Sequence, residues 1–388
     1  MPADRIYLDH AATTPLRREA LDAMLPYLTE HQGNPSSIYA SGRRARQALD
    51  EAREVVARFV GGQPREIVFT AGGTEADNLA IKGAAWAASA NGRHIVTSSV
   101  EHKAVLHTCA VMERSGFEVT YLPVDRYGRV DPADVAEAIT EHTVLVSVML
   151  ANNEVGTIEP IAEIGRVCRE RRVLFHTDAI QAAGHLPIDV DALGVDLLSL
   201  AAHKVYGPKG VGALFVRRGT ALLPQLQGGS QERQRRAGTE NVAGIAGFAR
   251  ALESLDLAGG LEAELRDRLI TGLTAIDGVS LTGHPTERLP NSASFVVDGV
   301  EGGDLVSALD LEGIEASTGS ACTSGSTEPS HVLLAMGIDP QAAHGSLRLT
   351  LGRETTPEEI ERTVVVTRDV IGRLRDAMAP RPTVASVS

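Results

Sequence analysis

Residues 143–178 read TVLVSVMLANNEVGTIEPIAEIGRVCRERRVLFHTD. The first eight, Thr143–Leu150, are apolar almost without interruption, and Val173–Asp178 begins the same way. Continuous apolar strands, as opposed to alternating ones, are expected where both faces of a sheet are covered. Between them, residues 160–171 carry the spacing of an amphipathic helix. Strand, helix and strand in that order imply parallel strands with the helix laid over the sheet.

The alternation extends in both directions. Upstream, SGRRARQALDEAREVVARFV at 41–60 predicts a helix and EIVFT at Glu66–Thr70 a buried strand. Residues 74–90 and 103–115 read as helices, with strands at His94–Val100 and Glu118–Leu122. Asp131-Pro132 opens another helix, with Asp as N-cap and Pro in the first turn. Downstream, LLSLAAHKVYGPKG at 197–210 closes a strand-like run with a Gly/Pro loop. Past about residue 255 the texture changes. A helix is expected at 261–276, and Ser292–Val297 alternates like a strand with one exposed face. Leu347–Leu351 reads as a strand. Thr356-Pro357-Glu358-Glu359 caps a long helix running to about 377. The expected fold class is α/β: a large domain at 15–255 with a mainly parallel sheet, and a smaller α+β domain formed by 1–14 and 256–388.

The net charge of −13 argues against a general nucleic-acid surface. Arg233, Arg235 and Arg236 form a local basic cluster that fits either a solvated face or a patch for a partner. Three cysteines make no disulfide framework, and an odd number suits a reducing compartment. The opening MPADRIYLDHAATTP lacks a basic stretch followed by an apolar one, and no run reaches the roughly 18 apolar residues of a membrane helix. A cytoplasmic location without membrane attachment is expected, and no metal site is foreseen.

Lysine usage carries more information. Of 37 basic residues only Lys82, Lys103, Lys204 and Lys209 are lysine. A chain that uses arginine almost everywhere keeps lysine where a primary amine has work to do. Lysine can lose its proton and attack a carbonyl, whereas arginine stays charged. Lys204 follows an apolar strand, and an amine in such a cleft loses much of its proton affinity. Lys209 reads as solvent-facing.

In open parallel sheets ligands gather at the carboxyl ends of strands. Four such ends carry chemistry here. TAGGTEADN at Thr70–Asn78 puts Gly72, Gly73 and Thr74 where a strand gives way to a helix; this serves either as a phosphate cradle or as an ordinary tight turn. Asp178 ends VLFHTD with Gln181 three residues on, and can cap a turn or pair with a protonated ring nitrogen. His203-Lys204 is the third end. Glu101-His102-Lys103 is the fourth, His102 being either a stacking, proton-exchanging imidazole or a structural histidine. Lysine, ring-nitrogen acid and phosphate cradle together are the three parts a pyridoxal-phosphate site requires. Cys109 and Cys168 lie in periodic helical segments and read as core. Cys322 lies in STGSACTSGS at Ser317–Ser326, a stretch of small polar residues that suggests a thiol with a chemical use. The absence of G-x-G-x-x-G disfavours a nicotinamide dehydrogenase.

The segments GGTEADNLAIKG, EHKAVL, NNEVGTI, HTDAIQAAG, AHKVYGPKGVGAL, AGTEN, GSACTSG and LRLTLGR resemble the cysteine desulfurases, class-V aminotransferase relatives within the fold-type-I pyridoxal-phosphate enzymes. The likeness covers about nine tenths of the chain, and GSACTSG is similar to the group with a long cysteine-bearing loop. It implies a cytoplasmic homodimer that converts L-cysteine to L-alanine and passes sulfur, as a persulfide on Cys322, to an acceptor protein serving iron–sulfur, thiolation or DNA phosphorothioation pathways. No direct nucleic-acid contact is expected. By the same resemblance Lys204 bonds the pyridoxal 5'-phosphate aldehyde and Asp178 pairs with the pyridine nitrogen. Gln181 meets the ring oxygen, and His102 stacks on the ring and moves protons. Asn153 touches cofactor or substrate carboxylate. Gly73, Thr74 and His203 hold the phosphate, and Thr239 reaches the phosphate of the partner subunit. Arg348 clamps the substrate carboxylate, with Asn34 near the same pocket. Relatives commonly place serine two residues before the His-Lys pair, where this chain has Ala201, so one phosphate contact is expected to be lost or supplied otherwise. Another pyridoxal-phosphate lyase or aminotransferase of the same fold, such as a selenocysteine lyase or a kynureninase relative, would not need Cys322. A non-catalytic scaffold would not need Lys204 or Asp178 either.

Overall fold

The computed structural model describes residues 5–256, 260–319 and 328–378. Cys322 therefore lies outside the described residues. The strands are β1 (Ile6–Tyr7), β2 (Ile67–Thr70), β3 (His94–Ser98), β4 (Glu118–Leu122), β5 (Thr143–Ser147), β6 (Leu174–Asp178), β7 (Leu197–Ala201), β8 (Gly212–Val216), β9 (Val279–Thr282), β10 (Ser292–Val297), β11 (Ile314–Glu315) and β12 (Ser346–Thr350). Among the described residues, seven of them form one sheet in the order β2-β8-β7-β6-β5-β3-β4. Strands β7, β6, β5, β3 and β4 run parallel, and β8 lies antiparallel to both its neighbours. The expected α/β class with a mainly parallel sheet holds.

Helices cover both faces, which is why β5, β7 and β8 are buried along their whole length. On one face the helices Ala40–Val60, Ile161–Arg171 and Val242–Glu253 meet Phe69, Phe175 and Phe215; Phe248 of the last helix is fully buried there. On the other, Gly73–Ala88 and Lys103–Arg114 pack Leu79, Ile81, Cys109 and Met112 against Val68, Ile95 and Leu145. Each such large side chain contributes roughly 1.5–3 kcal/mol on burial. Cys109 and Cys168 are both buried in these cores.

A second core joins the antiparallel sheet β12-β10-β9 to the helices Leu261–Thr274, Gly302–Leu311 and Pro357–Met378. Here one expectation is corrected. β10 does not present a face to solvent; all six of its residues are buried. The side bearing Ala293, Phe295 and Val297 packs on the helices. On the opposite side, Val296 packs with Val100, Val155 and Val332, and Thr282 Oγ1 donates to Ser294 Oγ at 2.8 Å. Small hydroxyl side chains mimic an exposed pattern but are readily buried once hydrogen-bonded.

The stretch Ile6–Thr14 crosses between the two cores. β1 pairs in parallel with β11, Thr350 N donates to Leu8 O, and Ala11 N donates to Thr350 Oγ1. Thr14 N and Oγ1 then both donate to His203 O, at 2.9 Å each. A different irregularity lies at Glu232, Arg233 and Gln234, with φ of 46°, 57° and 65°. Three successive non-glycine residues in the left-handed region cost about 1–2 kcal/mol each. The turn is held by Glu232, whose carboxylate receives both Arg53 Nη1 and Nη2 at 2.7 Å and Phe69 N at 3.0 Å. Among the described residues, no helix is long and apolar enough to cross a membrane.

Candidate active site

Strands β5, β6 and β7 end side by side, and their loops open into one cavity of about 320 Å3. Gly73, Thr74, His102, Asn153, Asp178, Gln181, His203, Lys204 and Arg348 all line it, together with Ala11, Ala12, Ala201 and Gly319. These residues come from positions as far apart as 11 and 348, and the sheet is what brings them together.

Lys204 sits on a single 3-10 turn directly after β7, which is too short to carry its side chain away from the strand end. Its amine donates to the carbonyls of Ala11 and Ala12, the latter at 2.8 Å. Asp178 closes β6, and one of its oxygens accepts from Ile180 N at 2.9 Å. Burial pushes its carboxyl up to about 6, against the pull of the Ile180 amide and the Lys204 charge. His102 caps the helix Lys103–Arg114 through Nδ1, which accepts from Ala104 N at 3.1 Å. That bond leaves Nε2 to carry the proton of a neutral ring. Burial, then the charge of Lys204, pulls His102 down to about 4, so it is neutral at physiological pH. Gln181 Nε2 donates to Ala11 O at 2.9 Å, which fixes the amide at the cavity edge.

The helix Gly73–Ala88 points its N-terminus at the cavity, and no side chain caps it. Gly72 before it has φ 154°, and a Cβ there would meet nothing within 4 Å, so glycine serves the backbone conformation and leaves the approach open. Uncapped amides at a helix start bind anions. His203 lies alongside, pulled down to about 4 by burial and then by Lys204 and Lys209. Its Nδ1 is 3.2 Å from Thr13 Oγ1. Ala201 is buried against Gly73, so no hydroxyl faces the cradle from that position. A second, more open groove continues from Gly73, Thr74 and His203 past Glu75, Asn78 and Lys209 to Gln225.

Arg348 is 2% exposed. Nη1 donates to Asn153 O at 2.8 Å and Gly319 O at 3.2 Å, and Nη2 to Asp9 Oδ1 at 2.7 Å. A guanidinium has five N–H groups. Buried Nε has no partner among the described residues, and the side chain borders the cavity.

Asn34 and Thr239 are not brought into the cavity of their own chain. Asn34 is exposed and its side-chain oxygen caps Ser36 N at 2.9 Å, so the expectation that it borders the substrate pocket is not met within one chain. Thr239 is also exposed and lines neither the cavity nor the groove. Sequence reasoning missed Asp9, although it stands in the quoted opening beside His10. It also missed the buried polar layer beneath the cavity. There His176 bridges Ser147 Oγ at 2.8 Å and Ser199 Oγ at 3.0 Å, with Asp77 Oδ1 3.8 Å from its Nε2. Glu101, fully buried and accepting from Ser98 Oγ and Met149 N, is pushed up to about 8 by desolvation. The signal that was available is a polar residue inside an apolar strand or helix face, as in VLFHTD.

The class-V aminotransferase family model matches residues 6–363. The chain belongs to that family, in its cysteine desulfurase branch. It is 52% identical over 379 residues to a cysteine desulfurase IscS of Methanosarcina thermophila, covering 97% of this chain and 94% of that one. Among solved structures, a NifS-like protein superposes with a TM-score of 0.90 at 36% identity, over 95% of this chain and 100% of the other. A structure titled SspA in complex with cysteine superposes at 0.81 and 37% identity, over 89% and 98%. Enzymes of this family depend on pyridoxal phosphate, and the fold is the fold-type-I arrangement of that class. The cavity fits the group: a lysine amine, a buried carboxylate and uncapped helix amides face one space.

Proposed function

We propose that this chain is a cysteine desulfurase that takes L-cysteine, releases L-alanine and leaves the sulfur as a persulfide on Cys322. The single observation that carries the reading is the convergence of Lys204, Asp178, His102 and Arg348 on one cavity in a chain of this family. Lys204 would hold pyridoxal phosphate through its aldehyde, Asp178 would meet the ring nitrogen, and Gln181 the ring oxygen. Gly73, Thr74 and His203 would hold the phosphate. When bound, the cofactor withdraws electrons from the substrate Cα and so acidifies its proton.

The chain's own residues do the rest. Arg348, which borders the cavity, binds the substrate carboxylate through charge-assisted bonds and fixes its orientation beside Asn153. His102, neutral at physiological pH with its proton on Nε2, gives up that proton and takes one back, and the Lys204 amine shares that work. The Cys322 thiolate attacks the substrate sulfur. A sulfur–sulfur bond forms, the carbon–sulfur bond breaks, and protons on the substrate carbon complete L-alanine. One thiol and one L-cysteine thus become one persulfide and one L-alanine. Gly319 lines the cavity and Cys322 follows three residues later, so the tether spans at most about 11 Å.

A homodimer, in which Thr239 and Asn34 serve the neighbouring copy, and an acceptor protein that takes the sulfur complete the reading, with a cytoplasmic setting. The two cores support a division into 15–255 and 1–14 with 256–388, the cysteine belonging to the second unit. Incubation of the holoenzyme with L-cysteine, quantifying L-alanine and alkylating the persulfide for mass mapping, tests the proposal. The expected result is equimolar alanine and a Cys322 persulfide in a first turnover, and neither product chain in Cys322→Ser. Alanine formed without a mapped persulfide points to a different pyridoxal-phosphate lyase, and no turnover with an unaltered cofactor spectrum points to a scaffold.

A further inference from the structure

The left-handed turn at Glu232–Gln234 lines neither the cavity nor the groove, yet it is fastened more firmly than any surface loop requires. On one side Glu232 closes a two-contact fork with Arg53; the two side chains are 1% and 6% exposed. Arg53 also donates to Ile67 O at 2.7 Å and lies 4.7 Å over the Phe69 ring. On the other side, Arg236 Nε donates to Glu75 Oε1 at 2.8 Å, in the first turn of the helix that forms the phosphate cradle. Backbone held in this region persists where its surroundings over-determine it. The element delivered by the turn is Ala237-Gly238-Thr239. Ala237 is buried, Gly238 has φ 106°, and Thr239 ends up exposed, outside the cavity of its own chain.

The cradle, meanwhile, is short of a hydroxyl at Ala201, and the groove beside it opens to solvent past Thr74 and Lys209. A donor offered from outside the chain can enter there. We infer that the Arg53–Glu232 ion pair is a positioning device that acts across a subunit boundary, holding the turn so that Thr239 of one copy completes the cofactor-phosphate cradle of the other. The inference rests on the homodimer reading above. It assigns to Arg53 and Glu232 a role at a site neither residue touches.

Mixed dimers of differently tagged chains test it. In the first, one chain carries Glu232→Gln and the other Lys204→Ala. The intact Lys204 then sits in the chain with the altered turn and receives Thr239 from the unaltered one. In the second, a wild-type chain is paired with one carrying both substitutions, so the intact Lys204 receives Thr239 from the altered turn. Cofactor retained at Lys204 after dilution and filtration is read from its visible absorbance. Retention is expected to match wild type in the first dimer and to be about 10-fold weaker in the second, the size of a charge-assisted hydrogen bond lost or misplaced. Equal retention in both, or weakness confined to the first, overturns the inference while leaving the dimer intact. A holoenzyme that sediments as a monomer with full cofactor occupancy removes the dimer reading itself, and this inference with it. Should Glu232→Gln not fold, Arg53→Lys keeps the buried charge but breaks the fork, and the same pair of dimers is read with it.

Discussion

Two buried arginines mark two regions with opposite designs. Behind the edge of the large sheet, Arg53 faces a carboxylate that uses both oxygens, each at 2.7 Å, and the pair is closed to solvent. At the cavity, Arg348 touches its carboxylate through one oxygen of Asp9 and otherwise leans on two carbonyls. Both guanidinium groups are desolvated, but of the two only Arg348 borders the cavity. A closed pair fixes backbone. A half-closed pair holds a cation in place while keeping it available to an anion. Glu101 gives a third outcome: a buried carboxylate with no cation bonded to it among the described residues, whose proton is held by desolvation.

The comparison breaks first at the closed pair. Glu232→Gln leaves Arg53 buried without its counter-charge, which is expected to cost about 4 kcal/mol of unfolding free energy. Chemical denaturation of the holoenzyme measures it, and a loss below about 1 kcal/mol would equate this pair with an ordinary surface bridge. Glu101 comes next. Its folded carboxyl, at about 8, lies above the ordinary 4.5, so the unfolded chain ionises first as pH rises. The Glu101 contribution to the stability of the cofactor-free chain is full below pH 4.5 and falls as pH climbs towards 8. Between pH 5 and 7.5 the Glu101 share of that fall is on the order of 3 kcal/mol. Glu101→Gln should flatten the slope of melting temperature against pH; an unchanged slope would locate the titration elsewhere.

Arg348→Ala should lower kcat/KM for L-cysteine about 100-fold and also lower the melting temperature, with little change in cofactor absorbance, because it removes a ligand contact together with the bonds to Asp9, Asn153 and Gly319. An equal loss of cofactor would reassign the residue to the cradle. The smallest effect is expected at Asp9→Asn. The neutral amide still accepts from Arg348, and the substrate carboxylate no longer competes with a fixed negative charge, so KM should fall about threefold. A rise in KM would show that Asp9 orients Arg348 more than it competes.

Much of this is legible in the sequence alone. Thr143–Leu150 and Val173–Asp178 announced strands covered on both faces, and residues at strand ends picked out Lys204, Asp178, His102 and His203. What stayed hidden depends on partners far away in the chain. Arg53 and Glu232 are 179 positions apart, and Arg348 and Asp9 are 339. No local pattern announces that a Gln-Glu-Arg-Gln stretch without glycine will turn left-handed. The alternation in Ser292–Val297 was read correctly as strand but wrongly as half-exposed, because serine says little about which side of a sheet is wet. Asn34 is expected near a pocket that its own chain does not offer it, and Thr239, expected to serve a partner subunit, lies outside the cavity of its own chain.

The crossing stretch Ile6–Thr14 sets an order of assembly. Its carbonyls at Ala11 and Ala12 receive the Lys204 amine, while its strand is anchored at Gly313, Glu315 and Thr350. A chain leaving the ribosome owns the reactive lysine after 204 residues, but the wall against which that amine rests is secured only once residue 350 has emerged. The wall beside the reactive amine thus depends on residues more than a hundred positions downstream of it.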